Sequence, residues 1–294
     1  MSDFVQQQNN ICNFNSSDSW VILSPIEQSI KRKIEAVGTP LKDWDIQINY
    51  GIKTGFNDAF IISIEKRNEI LANCRDAEER KRTEELIRPI LRGRDIKRYG
   101  YVDNGLYLIN THNGIRGRIP RIKIEDYPAV KAHLDQYWDR IATRADKGDT
   151  PYNLRNCAYL EDFNKPKIIY PNMTQFLPFV FDRNKVLTNQ KCFIITGKHI
   201  AFLTAFFNSS IFKFCFSDNF PKLGEKGREL SKIFFDKIPV CEVSDTQNLQ
   251  FQDAVEDIQK EYNKQKAQRI DSMLFDLYAL TTEERKVIGF VEIQ

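Results

Sequence analysis

Residues 50–64, YGIKTGFNDAFIISI, decide how the chain is first read. Tyr50 closes an alternating run of Trp44, Ile46, Ile48 and Tyr50, Gly51 and Gly55 bracket a polar elbow carrying Lys53 and Thr54, and a second apolar run begins at Phe60. The pattern predicts strand, glycine turn, strand, a hairpin over 44–64. Glycine lets the backbone take positive φ and lie close to a partner, while Lys53, Thr54 and Asn57 present donors from the turn. The segment describes a contact surface with no evident catalytic group.

Upstream, Ser24-Pro25-Ile26-Glu27 is a capping box with proline at the first helical position, and Ile26, Ile30 and Ile34 form one stripe that Gly38 ends, predicting a helix over 25–37. Residues 1–19 are rich in Gln, Asn and Ser and read as a linker or chain edge. Downstream, 76–87 reads as a charged helix and 106–109 as a short strand. Asp126 and Pro128 open a helix bearing Val130, Leu134, Trp138 and Ile141. The runs 167–170, 176–181 and 192–196 read as strands, 199–207 and 211–216 as packed helices, and 217–230 as a long loop. After Pro239 the period becomes helical, which places a boundary near 241.

Further motifs follow the elbow in order: LIRPILRGRDIKRYGY at 86–101, KPKIIYPN at 165–172 and LSKIFFDKIPV at 230–240. With them, the chain resembles the TaqI-like specificity domain of adenine-specific DNA methyltransferases and of single-chain type IIG restriction-modification enzymes, over about 20–240. The resemblance implies an α/β (α+β) target-recognition domain with a mixed, curved sheet and packed helices, followed by a helical region over 241–294. It also implies sequence-specific recognition of double-stranded DNA. Its partner is then an N-terminal methyltransferase domain, with or without a nuclease domain. S-adenosylmethionine, and Mg²⁺ where there is a nuclease, belong to those domains, and this chain takes no cofactor itself.

Composition agrees with a folded chain: 294 residues, 41% hydrophobic and 12% aromatic, suffice for one substantial core or two modest ones. Six cysteines at 12, 74, 157, 192, 215 and 241 form no CxxC pair and read as reduced thiols of a cytoplasmic protein. No signal peptide or membrane span is expected, since the most apolar segment, 200–216, is interrupted by Asn208, Ser209, Ser210 and Lys213. Net charge is only +3, but its distribution is uneven. Residues 88–123 carry nine basic side chains against Asp95 and Asp103, and 242–294 carry eleven acidic against six basic. Such a basic region attracts phosphate, and such a tail is repelled from DNA.

No constellation for catalysis emerges. A methyltransferase needs a glycine-rich strand-to-helix turn and an [N/D]PP[Y/F] motif, and neither occurs; Tyr170-Pro171-Asn172-Met173 lacks the second proline and has the wrong order. A metal-dependent nuclease needs converging carboxylates. Glu125 with Asp126, or Asp182 with Lys185, fit that shape only weakly, and Asp126 reads better as a helix cap and Asp182 as a turn residue. His112, His133 and His199, separated by 21 and 66 residues, show no ligand-pair spacing and read as packing or surface residues.

Binding residues are easier to nominate. Arg92 and Arg94 carry planar forks suited to guanine or phosphate, with an ion pair to Asp95 weighed equally. Arg116, Arg118 and Arg121 lie on a glycine-containing loop, 113–121, read as flexible and phosphate-tracking. Lys222, Lys226 and Arg228 sit on the 217–230 loop beside Glu225 and Glu229. Asn172 and Gln175 are amides that can pair with an adenine edge. The chain is thus expected to be a DNA-recognition module, the specificity subunit of a multisubunit restriction system and a small metal-dependent nuclease being the weaker alternatives.

Overall fold

A computed structural model describes residues 23–224 and 227–292. The linker reading of 1–19, and Lys226, lie outside the described residues. The capping box closes as expected at the start of α1 (Pro25–Val37). Ser24 N–H donates to Glu27 Oε2 at 2.7 Å, Glu27 N–H returns to Ser24 Oγ at 3.4 Å, and Ile30 and Ile34 turn inward. Gly38 then begins β1 (Gly38–Pro40), which pairs with β14 (Pro239–Cys241) and so brings residues 38–40 and 239–241 together.

The centre is a four-stranded antiparallel sheet in the order β10-β8-β12-β2. Its strands are β2 (Ile46–Tyr50), β8 (Lys167–Pro171), β10 (Val180–Asp182) and β12 (Cys192–Gly197). Both faces are covered. Ile168, Tyr170, Phe193 and Ile195 enter one core, while the alternate residues Ile169, Val180, Cys192 and Ile194 enter a second. A strand buried on both faces reads as a continuous apolar run, as KIIYP does.

The first core is completed by α7 (Ile200–Asn208), every residue of which is buried, and by α8 (Ser210–Phe216). The helices α10 (Asp245–Lys260), α11 (Lys264–Leu277) and α12 (Thr282–Ile288) add Phe251, Val255, Ile270, Leu274 and Ile288 to that core. The second core lies under a mixed sheet in the order β11-β4-β7-β3: Leu187–Thr188, Ile87–Leu91, Leu106–Ile109 and Ile61–Ser63. Strands β11 and β4 are parallel and the remaining pairs antiparallel. The fold is therefore mixed α/β. Among the described residues no single helix is long and apolar enough to cross a membrane; the apolar pair Ile200–Asn208 and Ser210–Asn219 bends by 67°.

Four expectations need correction. The runs around the elbow are not a hairpin, because β2 pairs with β12 while β3 pairs with β7 in the other sheet. The elbow crosses between sheets instead. Gly51 permits the crossing, since a Cβ there would lie 2.0 Å from the Asn189 carbonyl oxygen, and Ile52 N–H donates to Thr188 O at 2.7 Å. The expected single helix after Pro128 is two, α5 (Pro128–Asp135) and α6 (Trp138–Thr143), with Trp138 44% exposed. Asp126 does not cap α5; the buried Glu79 accepts the Ala129 N–H at 2.9 Å in its place. Finally, the 176–181 run is strand only over Val180–Asp182, the preceding residues forming a loop.

Two polar contacts brace this frame. Lys167, fully buried, pairs with Asp182 on the neighbouring strand and donates to Phe163 O at 2.9 Å, while Asp182 also accepts from Asn184 N–H and Val186 N–H. At the other end, Glu284 accepts from Lys33 Nζ at 2.7 Å and Ser29 Oγ at 2.8 Å, which ties α12 to α1 and lowers its pKa to about 2 against the cost of burial. Replacing Asp182 by Ala leaves a buried ammonium unpaired. Chemical denaturation should show a loss of about 3–5 kcal/mol, and the double variant Lys167→Met/Asp182→Leu should recover most of it. For Glu284 the folded pKa lies below the unfolded value of about 4.3, so its contribution is present above that pH and fades toward pH 2. Glu284→Gln should flatten the acid side of the stability curve between those limits.

Candidate nucleic-acid interface

A groove of about 630 Å³ opens where the ends of β8 and β4 meet the turn before β12. Asn172 is fixed through its backbone, N–H to Lys191 O and O from Leu230 N–H, both at 2.9 Å. Next come β9 (Met173–Thr174), paired with β13 (Arg228–Glu229), and then a loop leading to Phe179. On the opposite wall, Gly93 lies so close to the Lys191 carbonyl that a Cβ would stand 2.9 Å from it. That contact sets Arg94 beside Lys191.

The arginine pair divides. Arg92 is gripped by Asp95 through Nε–Oδ2 and Nη2–Oδ1, both 3.0 Å, with its own N–H donating to Asp95 Oδ2 at 2.8 Å. Its fork is spent inside the protein. Arg94, Lys97 and Lys191 are exposed and have no carboxylate partner among the described residues. Asn172 and Gln175 face the same groove, and neither side-chain amide has a hydrogen-bond partner among the described residues. Lys97 and Lys191 were not singled out from the sequence; only the fold brings them beside Arg94.

At the edge of this groove, Lys222 bridges to Arg228 through the backbone, and Arg228–Glu229 pairs with Met173–Thr174. Arg228 is tethered by Asp218 at 2.9 Å and Phe220 O at 3.0 Å, whereas Lys222 is exposed.

The arginine loop is not the flexible segment expected. Ile115 and Ile119 exchange backbone hydrogen bonds at 2.8 and 2.9 Å, closing a tight turn. Gly114 has φ +73° and no room for a Cβ, which would meet Ile119 O at 2.3 Å. Arg118 pairs with Glu161, and Arg121 lies 3.5 Å from Asp149. Arg116 has no such partner among the described residues. Cys157 borders this second groove, but burial pushes its thiol up to about 11, so it is protonated near neutral pH and a poor nucleophile.

The elbow joins the two regions. Its Ile52 bridges Asn189 of the first groove, and Tyr50 lies 4.4 Å from Phe193 by ring centroids. Its far end is held by Arg144, which sits 4.3 Å from the Phe60 ring and donates to the carbonyls of Thr54, Asp146, Pro151 and Asn153. Burial lowers the Arg144 pKa to about 10, yet it remains charged near neutrality. Nothing in the sequence marked it. Thr54 is buried and donates to Asn57 Oδ1 at 2.6 Å, so it braces the elbow rather than offering a donor outward; Lys53, half-exposed, lies 5.7 Å above the Tyr50 ring. Likewise Asp182 is committed to its buried ion pair. Among the described residues no group of three or more His, Cys, Asp or Glu is arranged to hold a metal ion.

This region coincides with a match to known proteins: residues 88–240 fit the family model described as the TaqI-like C-terminal specificity domain. Among solved structures, the chain is similar to the type IIL restriction-modification enzyme MmeI, solved in complex with DNA. The TM-score is 0.58 and the identity 13%, covering 85% of this chain and 35% of MmeI. It also matches the type IIG restriction endonuclease BpuSI at TM-score 0.49 and 13% identity, covering 87% and 34%. The chain thus spans about a third of the length of either enzyme. The likeness to MmeI is one of fold, and the family match covers more than half of the sequence: the chain belongs to the TaqI-like C-terminal specificity domain family.

Proposed function

We propose that this chain is the sequence-specific double-stranded DNA recognition module of a restriction-modification enzyme whose adenine-N6 methyltransferase chemistry resides in another domain. The observation that carries this reading is the contrast among donors in the first groove. Arg92 is neutralised internally, while Arg94, Lys97 and Lys191 present charge with no carboxylate partner among the described residues beside the amides of Asn172 and Gln175. Cations of that kind supply salt-dependent attraction to phosphate and can bind guanine O6 and N7, and amides match the adenine edge. The recognition surface falls within 20–240, and the helices beyond 241 brace it from the far side of the first core. S-adenosylmethionine, and Mg²⁺ where a nuclease is present, would be bound by the partner domains, because this sequence has neither the glycine-rich turn nor the [N/D]PP[Y/F] motif.

The second region assists. Arg116 tracks a phosphate, while Arg118 and Arg121 must first leave Glu161 and Asp149 and so contribute less. A surface ion pair is worth only about 0–1 kcal/mol, so that exchange is feasible but weakens the net gain.

Duplex binding measured by fluorescence anisotropy across a salt series tests both statements. Replacing Arg94, Lys97 and Lys191 together by Ala should lower the affinity and reduce the slope of log K against log salt by up to about 3. Affinity and slope equal to those of the unaltered chain would remove the groove from the interface. Arg116→Ala should reduce the slope by about 1 and Arg118→Ala by less, both without altering sequence preference.

A further inference from the structure

The loop between β9 and β10 is held at three places by side chains from the kink between α7 and α8. Asn208, at the end of α7, donates through Nδ2 to Phe179 O at 2.8 Å and accepts the Phe179 N–H on Oδ1 at 3.1 Å. Lys213 on α8, only 8% exposed, donates from Nζ to Phe176 O at 2.8 Å and Leu177 O at 2.5 Å. Leu177 takes a left-handed φ of +48°, a strain that these contacts hold in place. Arg98 completes the brace beneath them by donating to Asn208 O at 2.7 Å.

Such an arrangement is expensive for a loop that merely connects strands. Burying a lysine ammonium beside backbone carbonyls costs desolvation energy, and the groups around it offer little return: Arg98 repels it, and the buried Asp271, which accepts from Ser210, offsets that repulsion only in part. The product is a rigid display. On its outer side stand Met173, Gln175 and Phe176, all exposed, and Thr174 Oγ1 accepts the Phe176 N–H at 3.1 Å, which fixes the turn that carries Gln175. Base readout requires this kind of preorganisation, because a two-point hydrogen bond is lost if its donor and acceptor wander.

We propose that Gln175 reads an adenine edge in the bound duplex, and that Lys213 and Asn208 are the positioning residues that hold its loop in register. A glutamine amide supplies one acceptor and one donor, matching adenine N6–H and N7; a glutamate supplies acceptors only and matches the cytosine N4 amino group. The inference rests on the DNA-recognition reading above and adds to it a residue, a base and a clamp.

The test is selection of duplexes from a randomised pool by the full chain, its Gln175→Glu and Gln175→Ala variants, and Lys213→Met. At one position the unaltered chain should prefer adenine, the Glu variant should shift to cytosine, and the Ala variant should lose its preference by about 5- to 100-fold, other positions being unchanged. Lys213→Met should lower discrimination at that position and its neighbours while leaving affinity for random-sequence duplex at low salt within about twofold, with circular dichroism reporting the fold. If the unaltered chain selects a sequence and the Gln175 variants select the same one at every position, or lose affinity equally for all sequences, the inference is wrong and the recognition reading stands. If the unaltered chain selects no sequence at all, the recognition reading fails and takes the inference with it. Because Gln175 is exposed, its two variants decide the matter even if Lys213→Met does not fold.

Discussion

The constraint on which the structure depends is that one antiparallel sheet serves as a wall between two cores. Strands β8 and β12 send Ile168, Tyr170, Phe193 and Ile195 to one side and Ile169, Cys192 and Ile194 to the other. A register slip of one residue would exchange the two sets, placing the aromatic rings where only smaller side chains fit. The register is fixed by polarity as well as shape. Lys167 faces Asp182 across the β8–β10 pairing, and this buried pair is satisfied only in the observed alignment. Everything at the groove then follows from where β8 ends, because Asn172 leaves the sheet directly beside Lys191 and the Arg94 turn.

Local signals were legible in the sequence and non-local ones were not. The capping box at Ser24 and the cap at Asp76 each satisfy orphan amides within one turn, so α1 and the helix over Ala77–Leu86 lie where their residues predict. The elbow failed for the opposite reason. Its two apolar runs look like a hairpin, but pairing is decided by partners more than 40 residues away at Leu106–Ile109 and more than 140 away at Cys192–Gly197. Gly51, which looked like a turn residue, is in fact a contact residue whose missing side chain makes room for the Asn189 carbonyl.

Charge density misled in a similar way. The nine cations over 88–123 suggest one electropositive surface, yet their roles separate once neighbours are known. Arg98 is buried beneath α7, Arg92 is closed on Asp95, and Arg88 donates to the Lys185 carbonyl. What the sequence shows is the sign of a charge; what matters for binding is whether its donors are already satisfied. By that measure the proposed interface is smaller than the count implies, and Lys191, outside the 88–123 run, comes beside Arg94 and Lys97 only through folding.

The same distinction bears on why polar groups are buried so close to the proposed recognition surface. A loop free to move could pair its amides with any base edge and would discriminate little, since the cost of ordering it would fall on every complex alike. The Asn208 and Lys213 contacts place that cost in folding, where the surrounding aromatic core of Phe179, Phe207 and Phe212, with Phe179 and Phe207 5.0 Å apart, can offset it. Side chains on the outer face of such a loop can be exchanged without disturbing the clamp, because the clamp engages only backbone atoms of Phe176, Leu177 and Phe179. One scaffold is thereby able to present different side chains in one geometry, because the clamped backbone at Phe176, Leu177 and Phe179 is separate from the exposed side chain of Gln175.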